Sequence, residues 1–234
     1  MKLKPAIQTV AVLAGIGALG GTALAGLNIT SEWTDYIEVP ERTEVRAVSV
    51  PEDACVTPNP IGACPGEEGH YAAIRLVPPA TPYHVQAVSY ALMNESFGDY
   101  VCSAHLKHDV FLFKGPAGSP PDPNPTEIDR YTVPATSPST SKRRWINVNP
   151  TKPIKLSAGE ALFVSVQING DLEGDDCPGK GETVCLQGCP ADDPGKETWW
   201  SYDTAPAYSW SDLDTIGISY DGIASMSGFT VSFP

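Results

Sequence analysis

The chain has 234 residues, with 15 Lys and Arg against 28 Asp and Glu and a formal net charge of −13 at pH 7. A surface this acidic repels phosphate backbones and anionic lipid head groups, which disfavours nucleic acid and membrane surfaces as partners. The length fits one all-β domain with a substantial core.

Residues 1–25 have the three parts of a secretory signal peptide. Lys2 and Lys4 supply the positive charge, an uncharged run of small and apolar residues follows, and residues 23–25 form a small-x-small cleavage site. An uncleaved membrane anchor is the alternative, but several Gly residues dilute the run. No Cys follows the cleavage site, which argues against a lipid anchor. We predict a secreted or extracytoplasmic protein, in the periplasm or at the cell surface, with no membrane insertion after cleavage.

Short alternating segments dominate the rest of the chain. Segment 26–69 is irregular, with room for one edge strand, and residues 70–234 form the predicted β-sandwich domain. Predicted strands lie at 70–77, 83–92, 109–113, 144–148, 154–156, 161–168 and 228–233. Pro and Gly turn signals separate them, which is typical of a sandwich or barrel. No later segment has the apolar period of a helix.

Two of these strands allow a prediction of which side chains share a face. Strict alternation in 83–92 places four residues on one face: Tyr83, Val85, Ala87 and Ser89. In the last strand Phe229, Val231 and Phe233 share a face that buries well only against a second sheet. The sequence therefore predicts an all-β fold, a two-sheet antiparallel sandwich with disulfide-stapled loops.

The six Cys residues are Cys55, Cys64, Cys102, Cys177, Cys185 and Cys189. An even number in an exported chain predicts three disulfides. Cys55 and Cys64 flank a loop rich in Pro and Gly and are expected to pair locally. Cys102 then pairs with one of the three later Cys residues, and the other two pair together. A metal site is the alternative, but the C-x-x-x-C spacing at 185–189 departs from the usual C-x-x-C and no His lies near.

The loop at 169–196 is the candidate metal site. Four acidic residues fall at positions 1, 3, 5 and 12 of an EF-hand spacing: Asp171, Glu173, Asp175 and Glu182. Asp176 replaces the Gly of the sharp turn, and neither flank is helical, so we reject an EF-hand. A looser Ca²⁺ site built from these carboxylates is the hypothesis, and a solvated acidic loop is the alternative. No motif requires a cofactor, and Ca²⁺ is the candidate ion.

An aromatic cluster is the candidate ligand-binding site: Trp199, Trp200, Tyr202 and Trp210. In an extended segment Trp199 faces away from Trp200 and Tyr202. Flat aromatic faces suit sugar rings, so we hypothesise that Trp199 or Trp200 is exposed and contacts a glycan. The alternative is that these rings fill the core, where aromatic side chains bury much area.

Five segments resemble, in their order, the jelly-roll β-sandwich modules of secreted bacterial proteins: 82–88, 109–113, 156–166, 199–210 and 229–233. The resemblance implies a jelly-roll fold and an accessory module that binds or packs at the cell surface. No G-x-S-x-G or H-E-x-x-H motif is present, and we assign no catalytic residue. We predict a non-enzymatic secreted binding or surface-associated protein with an extracellular glycan as candidate partner. A secreted hydrolase using a carboxylate pair and a structural subunit of a surface assembly are the alternatives.

Overall fold

The computed structural model describes residues 41–50, 55, 58–63, 69–97, 100–169, 181–190, 197–203 and 207–232. The predicted signal peptide lies outside these ranges. The described residues form β-strands joined by turns and loops, and they include no helix long and apolar enough to cross a membrane.

The strands follow one another at short intervals, as the turn signals predict. In chain order they are β1 (Glu41–Val48), β2 (Asn59–Gly62), β3 (His70–Leu76), β4 (Tyr83–Met93), β5 (Glu95–Phe97), β6 (Tyr100–Cys102), β7 (His108–Pro116), β8 (Glu127–Val133), β9 (Arg143–Val148), β10 (Ile154–Leu156), β11 (Glu160–Ile168), β12 (Gly181–Thr183), β13 (Cys185–Cys189), β14 (Thr198–Ser201), β15 (Ser211–Asp212), β16 (Asp221–Gly222) and β17 (Ala224–Ser232).

The described strands form two large sheets and one small sheet. Sheet A centres on β4, which pairs with β17 on one edge and with β9 and β10 on the other. β1 pairs with the far edge of β17, and β13 joins β4 to β2 and β16. Sheet B has the order β15-β14-β3-β11-β7-β8, and the small sheet has the order β12-β6-β5.

The topology of the long strands is that of a jelly roll. Lettered B to I in chain order, these strands are β1, β3, β4, β7, β8, β9, β11 and β17. Sheet A then reads B-I-D-G (β1-β17-β4-β9) and sheet B reads C-H-E-F (β3-β11-β7-β8), which is the jelly-roll order. The predicted fold class is confirmed. β1 and β2 lie within segment 26–69, and β1 is the first strand of the roll.

The two sheets enclose an apolar core. Ile74, Leu112 and Val164 contribute from sheet B, and Val88 and Met226 contribute from sheet A, all with 0% exposure. Burying a side chain of this size is worth about 1.5–3 kcal/mol. The burial of these side chains therefore determines which face of each strand turns inward.

The alternation in β4 shifts by one residue in mid-strand. Tyr83 and Val85 share a face, as predicted, and this face packs in the core, but the next core residue is Val88 and not Ala87. The cause is a β-bulge: Ser227 and Gly228 are consecutive in β17, whereas their partners Ala87 and Val85 are separated by one residue in β4. The predicted face is therefore correct for the first half of β4 and wrong for the second half.

The side chain of Phe229 lies on the outer face of sheet A. Its ring stacks on His84 with 5.0 Å between centroids, and the Arg42 guanidinium lies 4.7 Å from its centroid. The prediction that Phe229 faces the second sheet is wrong, because the register places it opposite His84, between two inward-facing residues of β4. Phe233 lies outside the described residues.

Two disulfides join described Cys residues: Cys55 to Cys189 and Cys102 to Cys185. The predicted local pair of Cys55 with Cys64 is wrong, because antiparallel pairing of β2 with β13 brings the N-terminal end of β2 to the C-terminal end of β13. Cys185 is one of the three partners predicted for Cys102. Cys64 and Cys177 lie outside the described residues.

Candidate functional site

Trp199 and Trp200 lie on β14 and point to opposite faces of sheet B. Trp200 packs in the core and is 3% exposed, and Trp199 lies on the outer face and is 5% exposed. The Arg75 guanidinium lies 5.0 Å from the Trp199 ring centroid, and the Phe163 ring meets it edge-on at 5.8 Å. The expectation that one of the two Trp rings is exposed is wrong, because both faces of sheet B are covered.

An aromatic layer covers the outer face of sheet B: Tyr71, Phe111, Phe113, Phe163, Trp199 and Tyr208. The loop after β7 closes over this layer. The Tyr208 backbone N–H donates to the Pro123 carbonyl at 2.8 Å, and the Trp210 indole N–H donates to the Asp122 carbonyl at 2.9 Å. The Trp210 ring stacks on Tyr208 with 4.9 Å between centroids. Trp210 is thus half-buried and held by both its ring and its N–H.

Tyr202 is the exposed member of the predicted cluster, with 58% of its surface accessible. A cleft of about 240 Å³, which we call the Trp199 cleft, lies beside the outer aromatic layer. Its lining includes Arg75, Ser119 and Asp212. The Arg75 guanidinium is already engaged by both Glu197 carboxylate oxygens at 2.7 Å.

Of the four predicted metal ligands, only Glu182 is described. It lies on β12, and its Oε2 is 3.2 Å from His105 Nε2. Asp171, Glu173 and Asp175 lie outside the described residues. Within the described ranges, no group of three or more His, Cys, Asp or Glu side chains is placed to hold a metal ion.

A polar groove of about 310 Å³ opens where β4 ends and β9 begins. It is lined by Asn94, Ala104, His105, Thr136, Ser137, Ser139, Ser141, Arg143 and Arg144. Sequence reasoning missed this site. The available signal was five Ser and Thr residues within 136–141, followed directly by three basic residues at 142–144, which is unusual in an acidic chain.

Hydrogen bonds from separate segments fix the shape of the polar groove. The Asn94 side-chain amide donates to the carbonyls of Ser139 and Ser141 at 2.5 and 3.0 Å. The Thr136 backbone N–H donates to the His105 carbonyl at 2.9 Å, and Arg144 Nη1 donates to the Ala104 carbonyl at 3.0 Å. The walls are therefore held in place by contacts that do not depend on a ligand.

A Ser–His–Glu arrangement lies behind one wall of the groove. Ser103 Oγ is 2.9 Å from His105 Nδ1 and 3.0 Å from His105 Nε2, and the same Nε2 is 3.2 Å from Glu182 Oε2. The residue types match a catalytic triad. Ser103, however, is 0% exposed and does not line the groove, so its hydroxyl does not reach a substrate there. The arrangement orients the His105 ring as part of the wall.

A buried neutral pair lies near Arg144. Tyr90 Oη is 2.6 Å from His108 Nε2, and His108 Nδ1 is 3.0 Å from the Leu106 carbonyl. The carbonyl fixes a proton on Nδ1, so Nε2 accepts the bond from the Tyr90 hydroxyl. Burial lowers the pKa of His108, and the charge of Arg144 lowers it further. Both ring nitrogens are satisfied while the imidazole is neutral.

We expect the free energy of unfolding to decrease as the pH falls below about 6.5 through the titration of His108. The unfolded chain takes up a proton near its ordinary pKa, whereas the folded chain resists it because the ring is buried. His108→Gln removes this titration. Urea denaturation should give wild type a larger free energy of unfolding than His108→Gln, and this difference should be larger at about pH 7.5 than at about pH 5. An equal difference at both pH values would contradict the assignment.

Two described carboxyls have environments opposite to that of a general acid. A bond from the Thr151 backbone N–H lowers the pKa of Asp129, and a bond from the Ser157 backbone N–H lowers the pKa of Glu160. A glycosidase acid needs a raised pKa. Neither group therefore fits the role of general acid in the predicted alternative of a hydrolase with a carboxylate pair.

No protein-family model matches the chain, and no curated protein matches it. The fold is similar to the crystal structure of the cysteine protease and lectin-like domains of Cwp84, a surface layer associated protein of Clostridium difficile. The TM-score is 0.43 and the identity is 12%, over 69% of this chain and 32% of that one. This chain thus spans about a third of the other's length. Similarity at this level carries no argument about function.

Proposed function

We propose that the protein is a non-enzymatic extracytoplasmic glycan-binding protein whose saccharide ligand binds in the polar groove. The observation that carries the proposal is the groove wall itself. Its polar groups are the side chains of Asn94, His105, Thr136, Ser137, Ser139, Ser141, Arg143 and Arg144. A sugar presents many hydroxyls that both donate and accept hydrogen bonds, and a wall of hydroxyl, amide and guanidinium groups matches that chemistry.

Pre-organisation supports the same proposal. The bonds from Asn94 to Ser139 and Ser141 hold the loop in one conformation before any ligand arrives. A ligand that meets a fixed wall does not have to order it, so less of the binding free energy is lost. The two disulfides are consistent with an oxidising, extracytoplasmic setting.

The test is a depletion assay with insoluble polysaccharides, in which bound protein and released reducing sugar are measured together. Ser137→Trp places a bulky ring in the exposed wall of the groove, and Ser119→Trp does the same in the Trp199 cleft. We expect at least one polysaccharide to deplete wild type and Ser119→Trp, with affinity for Ser137→Trp lower by about tenfold or more. Parallel samples with Ca²⁺ or chelator test whether the acidic loop contributes.

Three outcomes would contradict the proposal. Binding that survives Ser137→Trp and is lost in Ser119→Trp moves the site to the Trp199 cleft. Release of reducing sugar makes the protein a hydrolase. The absence of binding to every polysaccharide, together with self-association in sedimentation, favours a structural subunit.

A further inference from the structure

We propose that the polar groove selects an acidic saccharide and that Arg144 binds its carboxylate. This inference rests on the proposed function, which it narrows from glycans in general to glycans that carry uronic acid residues. It concerns the charge at the groove and not the aromatic cluster.

The first argument is the charge balance around Arg144. Four other cationic side chains of the described residues have carboxylate partners: Arg75 with Glu197, Lys114 with Glu160, Arg130 with Glu127 and Lys142 with Glu95. Five more have no carboxylate partner among the described residues, but all five are exposed to solvent: Arg42, Arg46, Lys107, Lys152 and Lys155. Arg144 is half-buried, and no carboxylate of the described residues lies within 4.0 Å of it. A partly desolvated cation without a counter-charge is costly, and an anionic ligand removes that cost.

The second argument is how Arg144 is held. Nη1 donates to the Ala104 carbonyl at 3.0 Å and to Thr136 Oγ1 at 2.7 Å. A guanidinium has five N–H donors, and these bonds use the two on Nη1. Among the described residues, Nε and Nη2 have no hydrogen-bond partner. Two adjacent donors on a fixed planar group match the two oxygens of a carboxylate.

The third argument is that the neighbouring titratable groups do not neutralise Arg144. The Tyr90 phenol and the His108 imidazole bond to each other, and both interact electrostatically with Arg144. Burial raises the pKa of Tyr90, so the phenol stays protonated and supplies no negative charge. Glu95, which follows Asn94 in the chain, is paired with Lys142 at 2.7 Å, and Glu182 lies against His105.

The test compares trigalacturonate with its fully methyl-esterified form by isothermal titration calorimetry. The two ligands share their hydroxyls and differ in charge. We expect the acid to bind wild type at least about tenfold more tightly than the ester, because one charge-assisted hydrogen-bonded pair contributes about that factor to affinity. Arg144→Gln should remove this preference, and Arg46→Gln, an exposed residue bonded to Ser225 on β17, should keep it. Arg46→Gln makes the same change in net charge.

A second measurement guards against misfolding of Arg144→Gln. In folded wild type, the Arg144 Nε–Hε resonance should shift on addition of the acid and also of sodium sulfate, and the shift should weaken with salt. Equal affinity for acid and ester overturns the inference and leaves the proposed function standing. A resonance that responds to sulfate but to neither saccharide supports the anion site and overturns its selection of a uronic acid saccharide. A resonance that responds to none of them overturns the inference about Arg144, and the depletion assay remains the test of the proposed function.

Discussion

Gly228→Ala is expected to destabilise the protein by about 3 kcal/mol or more. A Cβ at this position would overlap the carbonyl oxygen of His84 and would lie 3.0 Å from the Cα of Val85. Both neighbours are backbone atoms of β4, the central strand of sheet A, so neither can move without breaking the ladder. The register of β17 against β4 also shifts between Ser227 and Gly228.

Gly118→Ala provides the matched control. A Cβ at Gly118 would meet no atom within 4 Å, and this glycine does not have a positive φ. We expect its stability to be unchanged or raised by less than about 1 kcal/mol, because Ala restricts the unfolded chain. Urea denaturation with a common m-value measures both variants. A loss below about 1 kcal/mol for Gly228→Ala would show that β17 is not packed against β4 as described.

Removal of the Cys102–Cys185 disulfide is the second large effect. The bridge closes a loop with a sequence separation of 83, for which chain entropy alone predicts about 4–5 kcal/mol. Both half-cystines are 0% exposed, so Cys102→Ala/Cys185→Ala also leaves space in the core. We expect urea denaturation to show that the free energy of unfolding of the double variant is lower by about 4–5 kcal/mol.

The disulfide assignment can be checked separately. Peptide mapping without reductant should recover one peptide pair joining residues 102 and 185 and another joining 55 and 189. Recovery of Cys55 linked to Cys64 would contradict the described register of β2 against β13. A double variant with unchanged stability would show that the unfolded chain is not constrained by the bridge.

Much of the fold was predictable, because alternation and turn residues are local signals. The strand at 161–168 was predicted, and its register sends Leu162, Val164 and Val166 into the core. The shift in β4 was not predictable, because a bulge depends on the partner strand β17. The same holds for Cys55, whose distant partner is fixed by the pairing of β2 with β13.

The sites were harder to predict than the strands. Residue types drew attention to Trp199 and Trp200, but only the packing of the loop after β7 shows that the outer face of sheet B is covered. The polar groove draws on residue 94, residues 104–105 and residues 136–144, which lie far apart in the sequence. No local pattern reports that these segments converge.

The position of β17 has a consequence for biosynthesis. β17 lies between β1 and β4 in sheet A, and Glu41 pairs with Ser232 across nearly the whole described chain. Sheet A therefore stays open until the last described strand has been synthesised, and contacts of such long separation form slowly. Late closure of this kind suits a chain that is exported before it folds, and residues 1–25 predict export.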